Sequence, residues 1–146
     1  DDPAWCERLE RHRQRRPPHW SCLETGPELS GTLLQLQDPS DPRHGHLLLI
    51  DALGTWLAQH LDDDPTAWKT RQQGLLSALA SHRPPVLLVC EEVGLGVVPA
   101  TAVGGLFRDR MGELQQALMA QASGSWLVVA GRALDLHVLG QPVPEV

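Results

Sequence analysis

Three short apolar runs with similar endings constrain the fold of this chain more than any other feature. They are HLLLID at residues 46–51, PPVLLVCEEVG at 84–94 and SWLVVAG at 125–131. A short continuous apolar run is typical of a strand that is buried on both faces of a parallel sheet. Helical segments separate these strands, at 52–61, 65–82 and 100–122. The last segment carries an apolar stripe at spacings of 4, 3 and 4, formed by Phe107, Met111, Leu114 and Leu118. This alternation predicts an α/β domain with a mostly parallel sheet.

The residues before the first run predict a further helix. Asp2 has the form of an N-cap, and Pro3 then occupies the first helical position. Trp5, Leu9 and His12 share one face of this helix, which ends at the Pro17-Pro18 pair. The other predicted elements are a short strand at 20–24, a helix at 27–37, a polar loop at 38–46 and a loose tail at 141–146.

Composition indicates a single soluble domain over residues 1–146. The chain is 42% hydrophobic and 21% charged, and no apolar run approaches the roughly 20 residues that span a bilayer. Its three cysteines are far apart, which predicts neither a disulfide framework nor a metal knuckle and favours a reducing, cytoplasmic location. The formal net charge of −6 argues against general nucleic-acid binding.

Positive charge is nevertheless concentrated in one segment, RLERHRQRRPPHW, which holds five of the chain's eleven arginines around His12. On a helix, Arg8, Arg15 and Arg16 can share the face of His12. Their charges disfavour a second positive charge on the imidazole, and a neutral imidazole is the form that attacks as a nucleophile. Guanidinium groups also bind polyphosphates. The alternatives are a solvated basic helix, in which His12 has no role, and a polyanion-binding module.

Acidic side chains follow two of the predicted strands. Asp51 ends the first run, and the Glu91-Glu92 pair ends the second. Ligands of open parallel sheets bind beyond the carboxyl ends of the strands, where a nucleotide enzyme places an Asp that holds magnesium through water. Asp51 is alternatively a helix N-cap, and we expect at most one glutamate of the pair to contact a ligand.

Two glycine-containing segments have features of phosphate-binding loops. GLGVVP, after Glu92, is either such a loop or a turn into the helix that begins near Pro99. GPELSGT matches part of the P-loop pattern, but Thr32 stands where that loop needs a lysine that reaches the β- and γ-phosphates. The second segment is therefore rejected, and the first remains open.

Three blocks of the chain resemble, in order, a known family. The arginine-rich segment is similar to the pattern RI..HR..RP..W, and LLLIDALGTWLAQHL resembles a strand that ends in Asp before a helix. EEVGLGVVPATAVGGLFRDRMGELQQALMAQASGSWLVVAG resembles the region NEVG.GIVP......FRD..G..NQ.LA..A..V.LVV.G. The family is the bifunctional adenosylcobinamide kinase/adenosylcobinamide-phosphate guanylyltransferases of cobalamin biosynthesis. Here Glu91 stands where relatives often have Asn, and Gly54 occupies a common Thr position.

The resemblance implies a transferase with two activities. It would phosphorylate adenosylcobinamide with ATP or GTP, then transfer GMP from GTP through a covalent histidine adduct to give adenosylcobinamide-GDP. His12 would be the nucleophile, and Asp51 would hold Mg²⁺. The nucleotide-binding residues would be Arg8, Arg13, Arg16 and Glu92. The corrinoid and the nucleotides would be the partners, with no nucleic acid and no membrane span, in a cytoplasmic homotrimer.

The same resemblance implies a P-loop NTPase-like (RecA-type) three-layer fold. Members of the family begin with a strand, a GxxxxGKS loop, a helix and a second strand, and this unit is not found in the 146 residues. We therefore expect the chain to be an N-terminally incomplete part of a longer enzyme. The alternative is a non-catalytic fragment or descendant that retains only corrinoid or subunit binding.

Overall fold

The computed structural model describes residues 3–143, apart from the side chain of Trp5. Its elements, in chain order, are α1 (Pro3–Gln14), α2 (Leu29–Gln35), β1 (Leu48–Ile50), α3 (Leu53–Ala58), α4 (Pro65–Ser81), β2 (Val86–Leu88), α5 (Ala102–Met119), β3 (Trp126–Val129), β4 (Arg132–Asp135) and α6 (Leu136–Leu139). The α/β class is confirmed, as are the three strands predicted from the apolar runs. The expected N-cap at Asp2 lies outside the described residues, as do residues 144–146 of the expected tail.

The first two apolar runs form the parallel sheet that their pattern predicts. β1 pairs with β2 in parallel, with Leu48 opposite Val86 and Ile50 opposite Leu88. The chain needs a long crossover to bring two parallel strands side by side, and α3 and α4 supply it. Both strands therefore end at the same edge, followed by Asp51 and by the Glu91-Glu92 pair.

The third apolar run does not join this sheet. β3 pairs antiparallel with β4, with Trp126 opposite Asp135 and Val129 opposite Arg132. Ala130 and Gly131 connect the strands at φ values of 50° and 73°. Positive φ at both central residues is the geometry of the two-residue turns that close antiparallel hairpins. Because this turn reverses the chain, β3 pairs with β4 and does not pair with β1 or β2. The parallel sheet therefore consists of β1 and β2, and β3 and β4 form a separate hairpin.

The short strand expected at 20–24 is wrong, because the structure has no strand there and the side chains of residues 20–24 are exposed. A strand needs a neighbour to bond with its backbone groups, and none lies beside this segment. The predicted helix face of α1 is also not buried. Leu9 and every other described side chain of α1 are exposed.

The helix boundaries follow local capping chemistry. Asp64 caps α4 by accepting hydrogen bonds from the backbone nitrogens of Thr66 and Ala67, and Pro65 occupies the first turn. Thr101 caps α5 in the same way, through the backbone nitrogen of Gly104 at 3.2 Å. Both helices therefore begin within two residues of their predicted starts.

The core lies between helices α2 to α5 and one face of the parallel sheet. Its buried members are Leu29, Leu33, Leu53, Trp56, Leu57, Trp68, Leu75, Ala78, Met111, Leu114 and Leu118. The apolar stripe predicted on α5 is confirmed, since three of its residues are in this core and Phe107 packs against it. On the opposite face of the sheet, Leu49 and Leu87 stand opposite each other, 43% and 52% exposed.

A buried arginine ties α5 to the segment after α3. The guanidinium of Arg110 donates hydrogen bonds to the backbone oxygens of His60 and Asp63, both at 2.6 Å, and lies 5.1 Å from the ring centroid of Trp68. Both carbonyl groups belong to the turn between α3 and α4, outside either helix, and carbonyl groups removed from water need hydrogen-bond donors. Arg110 therefore supplies donors to this turn from inside the core.

Candidate active site

Two residues singled out in the sequence meet at the carboxyl end of the parallel sheet. His12, near the end of α1, places Nε2 3.7 Å from Oδ2 of Asp51, the residue directly after β1. The side chains are 54% and 44% exposed, so both can be reached from solvent. Asp51 accepts no hydrogen bond from residues 3–143. A nucleophile candidate and an acidic side chain thus share one surface at the edge where parallel sheets bind ligands.

Arg16 completes the immediate surroundings of the imidazole. Its Nη2 lies 3.3 Å from Nδ1 of His12, one helical turn away along the chain. Each ring nitrogen of His12 therefore faces a different charged group, a guanidinium on one side and a carboxylate on the other.

The other arginines are less closely associated with His12 than the helical spacing predicts. The side chains of Arg8 and Arg13 are exposed and make no hydrogen bond or ion pair within the described part of the chain. Arg11 instead pairs with Glu7 at 3.5 Å. Arg15 and Arg16 both follow the end of α1 at Gln14, and the side chain of Arg15 makes no hydrogen bond to His12. Arg16 is the one arginine hydrogen-bonded to His12 among residues 3–143.

The two glutamates after β2 have different positions. Glu91 accepts a hydrogen bond at Oε2 from the backbone nitrogen of Gly54, at 2.8 Å, and so caps the start of α3. The residue preceding α3, Ala52, provides no side-chain cap. The alternative reading of Asp51 as the N-cap of this helix is therefore wrong, because a glutamate from the neighbouring strand performs that task.

Glu92 is exposed and accepts a hydrogen bond from the backbone nitrogen of Gly94, which closes a local turn. Two side chains of α5 hold this loop: Arg108 donates to the oxygen of Gly94 at 3.2 Å, and Gln115 to the oxygen of Glu91 at 3.1 Å. These anchors were not identified from the sequence. Their only sequence signal is their position off the apolar stripe of α5.

Cys90 lies between the sheet and the acidic pair. Burial raises the pKa of its thiol, and the negative charge of Glu91 raises it further. A thiol acts as a nucleophile only when ionised. The protonated Cys90 is therefore a packing residue, and His12 remains the nucleophile candidate at this edge.

Asp51 provides a single carboxylate to a bound cation. Among residues 3–143, no group of three or more His, Cys, Asp or Glu side chains is arranged to hold a metal. Magnesium commonly binds through one or two carboxylates and fills its other positions with water and phosphate oxygens. The single accessible carboxylate of Asp51 fits a magnesium site that is completed by water and phosphate oxygens. It does not fit a site in which protein side chains provide every ligand.

No helix in the described residues is long and apolar enough to cross a membrane.

Comparison with known proteins gives one family model, described as cobinamide kinase / cobinamide phosphate guanyltransferase, which matches residues 1–136. The chain is 35% identical to the bifunctional adenosylcobalamin biosynthesis protein CobP of Pseudomonas aeruginosa, over 93% of this chain and 75% of that protein. It is 31% identical to the bifunctional adenosylcobalamin biosynthesis protein CobU of Escherichia coli, over 89% and 77%. The identity to CobU of Salmonella typhimurium is 29%, with the same coverage.

Proposed function

The chain belongs to the cobinamide kinase / cobinamide phosphate guanyltransferase family, and we propose that it acts in two steps on adenosylcobinamide. In the first step, ATP or GTP donates its γ-phosphoryl group to the substrate hydroxyl. In the second, GMP passes from GTP to His12 and then to the phosphate of adenosylcobinamide phosphate. The observation that carries the proposal is the approach of His12 to Asp51 at the carboxyl end of β1.

The guanylyl step requires a nucleophile that solvent and substrate can reach. A ring nitrogen of His12 attacks the α-phosphorus of GTP, the bond from that phosphorus to the bridging oxygen breaks, and pyrophosphate departs. The phosphate of adenosylcobinamide phosphate then attacks the same phosphorus, which frees His12 and forms adenosylcobinamide-GDP. The exposed imidazole supports this proposal, because a nucleotide can approach it without displacing the core.

Arg8, Arg13 and Arg16 are the proposed phosphate-binding residues, together with Glu92 as a further contact to the nucleotide. The guanidinium groups of Arg8 and Arg13 are exposed and unpaired within the described residues, so binding a phosphate breaks no existing ion pair there. Hydrogen-bond donors that already surround the phosphate oxygens stabilise the negative charge of the transition state, because they do not have to move during the reaction. This is the purpose we assign to the positive segment of an otherwise acidic chain.

Asp51 is the proposed magnesium ligand, through water. Bound magnesium would neutralise charge on the phosphates of the nucleotide. The carboxylate would orient that ion and the imidazole from one position at the sheet edge.

The three-layer P-loop fold, the homotrimer and the cytoplasmic location are also proposals. The parallel pairing of β1 and β2 supports the first, and the family resemblance alone supports the trimer.

The covalent adduct provides the direct test. Incubation with GTP labelled at the α-phosphate should give an acid-labile, protein-bound label that is lost in His12→Ala. His19→Ala is the matched control, because it removes an exposed histidine from the same segment and should keep the label. An unlabelled wild-type chain, or label retained in His12→Ala, would contradict the proposed step. Undetectable affinity for both ATP and GTP in a titration would instead favour a non-catalytic descendant.

A further inference from the structure

We infer that Asp51 and Arg16 together fix His12 as the tautomer protonated on Nε2, so that Nδ1 is the atom that accepts the guanylyl group. The inference rests on the proposed function for its chemistry, although the tautomer itself is a property of the free protein. It assigns Asp51 a task beyond magnesium binding, as a positioning residue for the nucleophile. The argument depends on what each neighbour of the imidazole can donate or accept.

Arg16 determines the state of Nδ1. A guanidinium carries only hydrogen-bond donors, so a nitrogen bonded to it must present a lone pair. The 3.3 Å contact between Nη2 of Arg16 and Nδ1 of His12 is therefore a hydrogen bond only when Nδ1 is unprotonated. In a neutral imidazole, the single proton then resides on Nε2.

Asp51 favours the same arrangement from the other side of the ring. An ionised carboxylate only accepts, so it attracts an N–H at Nε2 and repels a lone pair there. At 3.7 Å the two groups are beyond direct hydrogen-bond length, and a small movement would bring them within it. Two neighbours of opposite charge thus favour one tautomer.

The two neighbours are attached to different parts of the molecule. Asp51 is held between β1, where Ile50 is paired with Leu88, and α3, where the backbone nitrogen of Leu53 donates to Val89. Arg16, in contrast, is four residues from His12 on the same segment. Arg16 therefore stays with the imidazole wherever α1 lies, whereas Asp51 acts only when α1 is seated at the sheet edge.

The guanylyl step balances with this tautomer. The hydrogen bond from Arg16 to Nδ1 breaks, the freed lone pair of Nδ1 forms the new bond to the α-phosphorus, and the electron pair of the broken phosphorus–oxygen bond leaves with pyrophosphate. The Nε2 proton remains in place, so the ring of the adduct is cationic and faces the carboxylate of Asp51. Arg16, already beside Nδ1, is adjacent to the oxygens of the phosphorus that becomes bonded there.

The tautomer can be measured without nucleotide. In the chain labelled with ¹⁵N-histidine, the ring resonances of His12, assigned by their loss in His12→Ala, should show a lone pair on Nδ1 and a proton on Nε2. Asp51→Asn should shift this pattern toward a mixture of tautomers, and Asp62→Asn, which alters an exposed carboxylate elsewhere, should not. A proton on Nδ1 in the wild-type chain, or no response to Asp51→Asn, would overturn the inference.

The attachment site is measured on the GMP adduct. Phosphorus on Nδ1 is three bonds from one ring proton, Hε1, whereas phosphorus on Nε2 is three bonds from both Hε1 and Hδ2. We expect a ¹H–³¹P correlation to Hε1 alone, and three-bond correlations to both protons would refute Nδ1 as the acceptor. No adduct at all would contradict the proposed function, while the tautomer measurement would still decide the inference.

A kinetic measurement separates positioning from metal binding. Asp51→Asn should slow adduct formation about 10²- to 10⁴-fold, the range seen when a histidine loses the acceptor that sets its tautomer. The loss should persist at saturating magnesium, with Asp62→Asn as the unaffected control. Restoration of the wild-type rate by added magnesium would show that Asp51 acts through the ion alone and would overturn its role as a positioning residue.

Discussion

Glu91 and Gly54 form a cross-element cap: the carboxylate that follows β2 accepts a hydrogen bond from the first turn of α3 at 2.8 Å. A Cβ added at Gly54 would lie 2.5 Å from this carboxylate, which is closer than such atoms approach. A side chain at position 54 would therefore displace the carboxylate from this geometry. The cap joins the end of one strand to the helix that follows the other.

Gly54→Ala should displace the Glu91 carboxylate and lose the cap, at a cost of about 0.5–2 kcal/mol in the free energy of unfolding. Glu91→Ala should cost a similar amount, measured by urea unfolding. Because both changes remove the same interaction, the double variant should be little worse than either single one. Gly112→Ala is the control, since nothing lies within 4 Å of its added Cβ, and it should stabilise α5 slightly. Fully additive losses would contradict the cap.

Arg110→Ala should leave the backbone oxygens of His60 and Asp63 without their charged donor. The oxygen of His60 keeps the backbone nitrogen of Asp63 as a donor at 3.2 Å, so the loss of stability should be about 1–3 kcal/mol, the cost of leaving one buried acceptor unpaired. Arg83→Ala, at an exposed position, should change stability by less than about 0.5 kcal/mol. Equal effects of the two substitutions in thermal and urea unfolding would show that Arg110 does not hold the segment after α3.

His82 should make folding sensitive to mild acid. Burial lowers the pKa of this imidazole below its ordinary value of 6.5, and the nearby His44 lowers it further; both ring nitrogens lack a hydrogen-bond partner among the described residues. The unfolded chain then binds more protons than the folded one just below pH 6.5, so stability should fall as the pH falls through that value.

The measurement is the urea midpoint between pH 5 and 7 for the wild type and His82→Leu. The substitution should flatten the pH dependence, whereas His19→Leu, at an exposed position, should leave it unchanged. An identical pH dependence in wild type and His82→Leu would assign the effect to other groups.

The buried core and the exposed face of the parallel sheet should respond differently to truncation. Leu114→Ala, at a fully buried position of α5, should lower the free energy of unfolding by about 2–5 kcal/mol. Leu87→Ala, on the exposed face, should lose less than about 1 kcal/mol in the same unfolding assay, because more than half of that side chain already contacts solvent. Comparable losses would mean that the exposed face is covered in solution.

Arg8 and Arg13 should contribute to nucleotide affinity and not to folding. Each substitution by alanine should raise the Kd for GTP about tenfold or more, because a charge-assisted hydrogen bond contributes about 1.5–3 kcal/mol. The urea midpoint should remain unchanged, since neither side chain has a partner in the described structure. Unaltered GTP affinity in calorimetric titration, with Arg83→Ala as reference, would remove these residues from the phosphate site.

Local patterns were sufficient to predict much of the fold. The spacing of Met111, Leu114 and Leu118 predicted which face of α5 is buried, because helical periodicity and core packing act on the same residues. The apolar runs predicted β1 and β2, and parallel pairing then placed Asp51 and Glu91 at one edge. The approach of His12 to Asp51 is compatible with the roles that the family resemblance implies for them, which stay predictions.

Features that depend on partners far apart in the sequence, or on unusual backbone dihedral angles, could not be predicted from local patterns. Ala130 adopts a positive φ that its residue type does not signal, so the return of the chain into β4 was missed. The cap from Glu91 joins residues 37 positions apart, and the burial of Arg110 depends on carbonyl groups about 50 positions away. Neither pairing leaves a periodic trace in the sequence.

The exposed course of α1 has a consequence for how the site is assembled. Since its described side chains add nothing to the core, α1 can detach while helices α2 to α5 and the parallel sheet stay folded, and its amide hydrogens should exchange with solvent well before those of α5. The nucleophile and its carboxylate then belong to units of unequal stability. The contact between His12 and Asp51 therefore forms when α1 docks at the sheet edge and breaks when α1 detaches. A bound nucleotide that contacts both the basic segment and the sheet edge would favour the docked state.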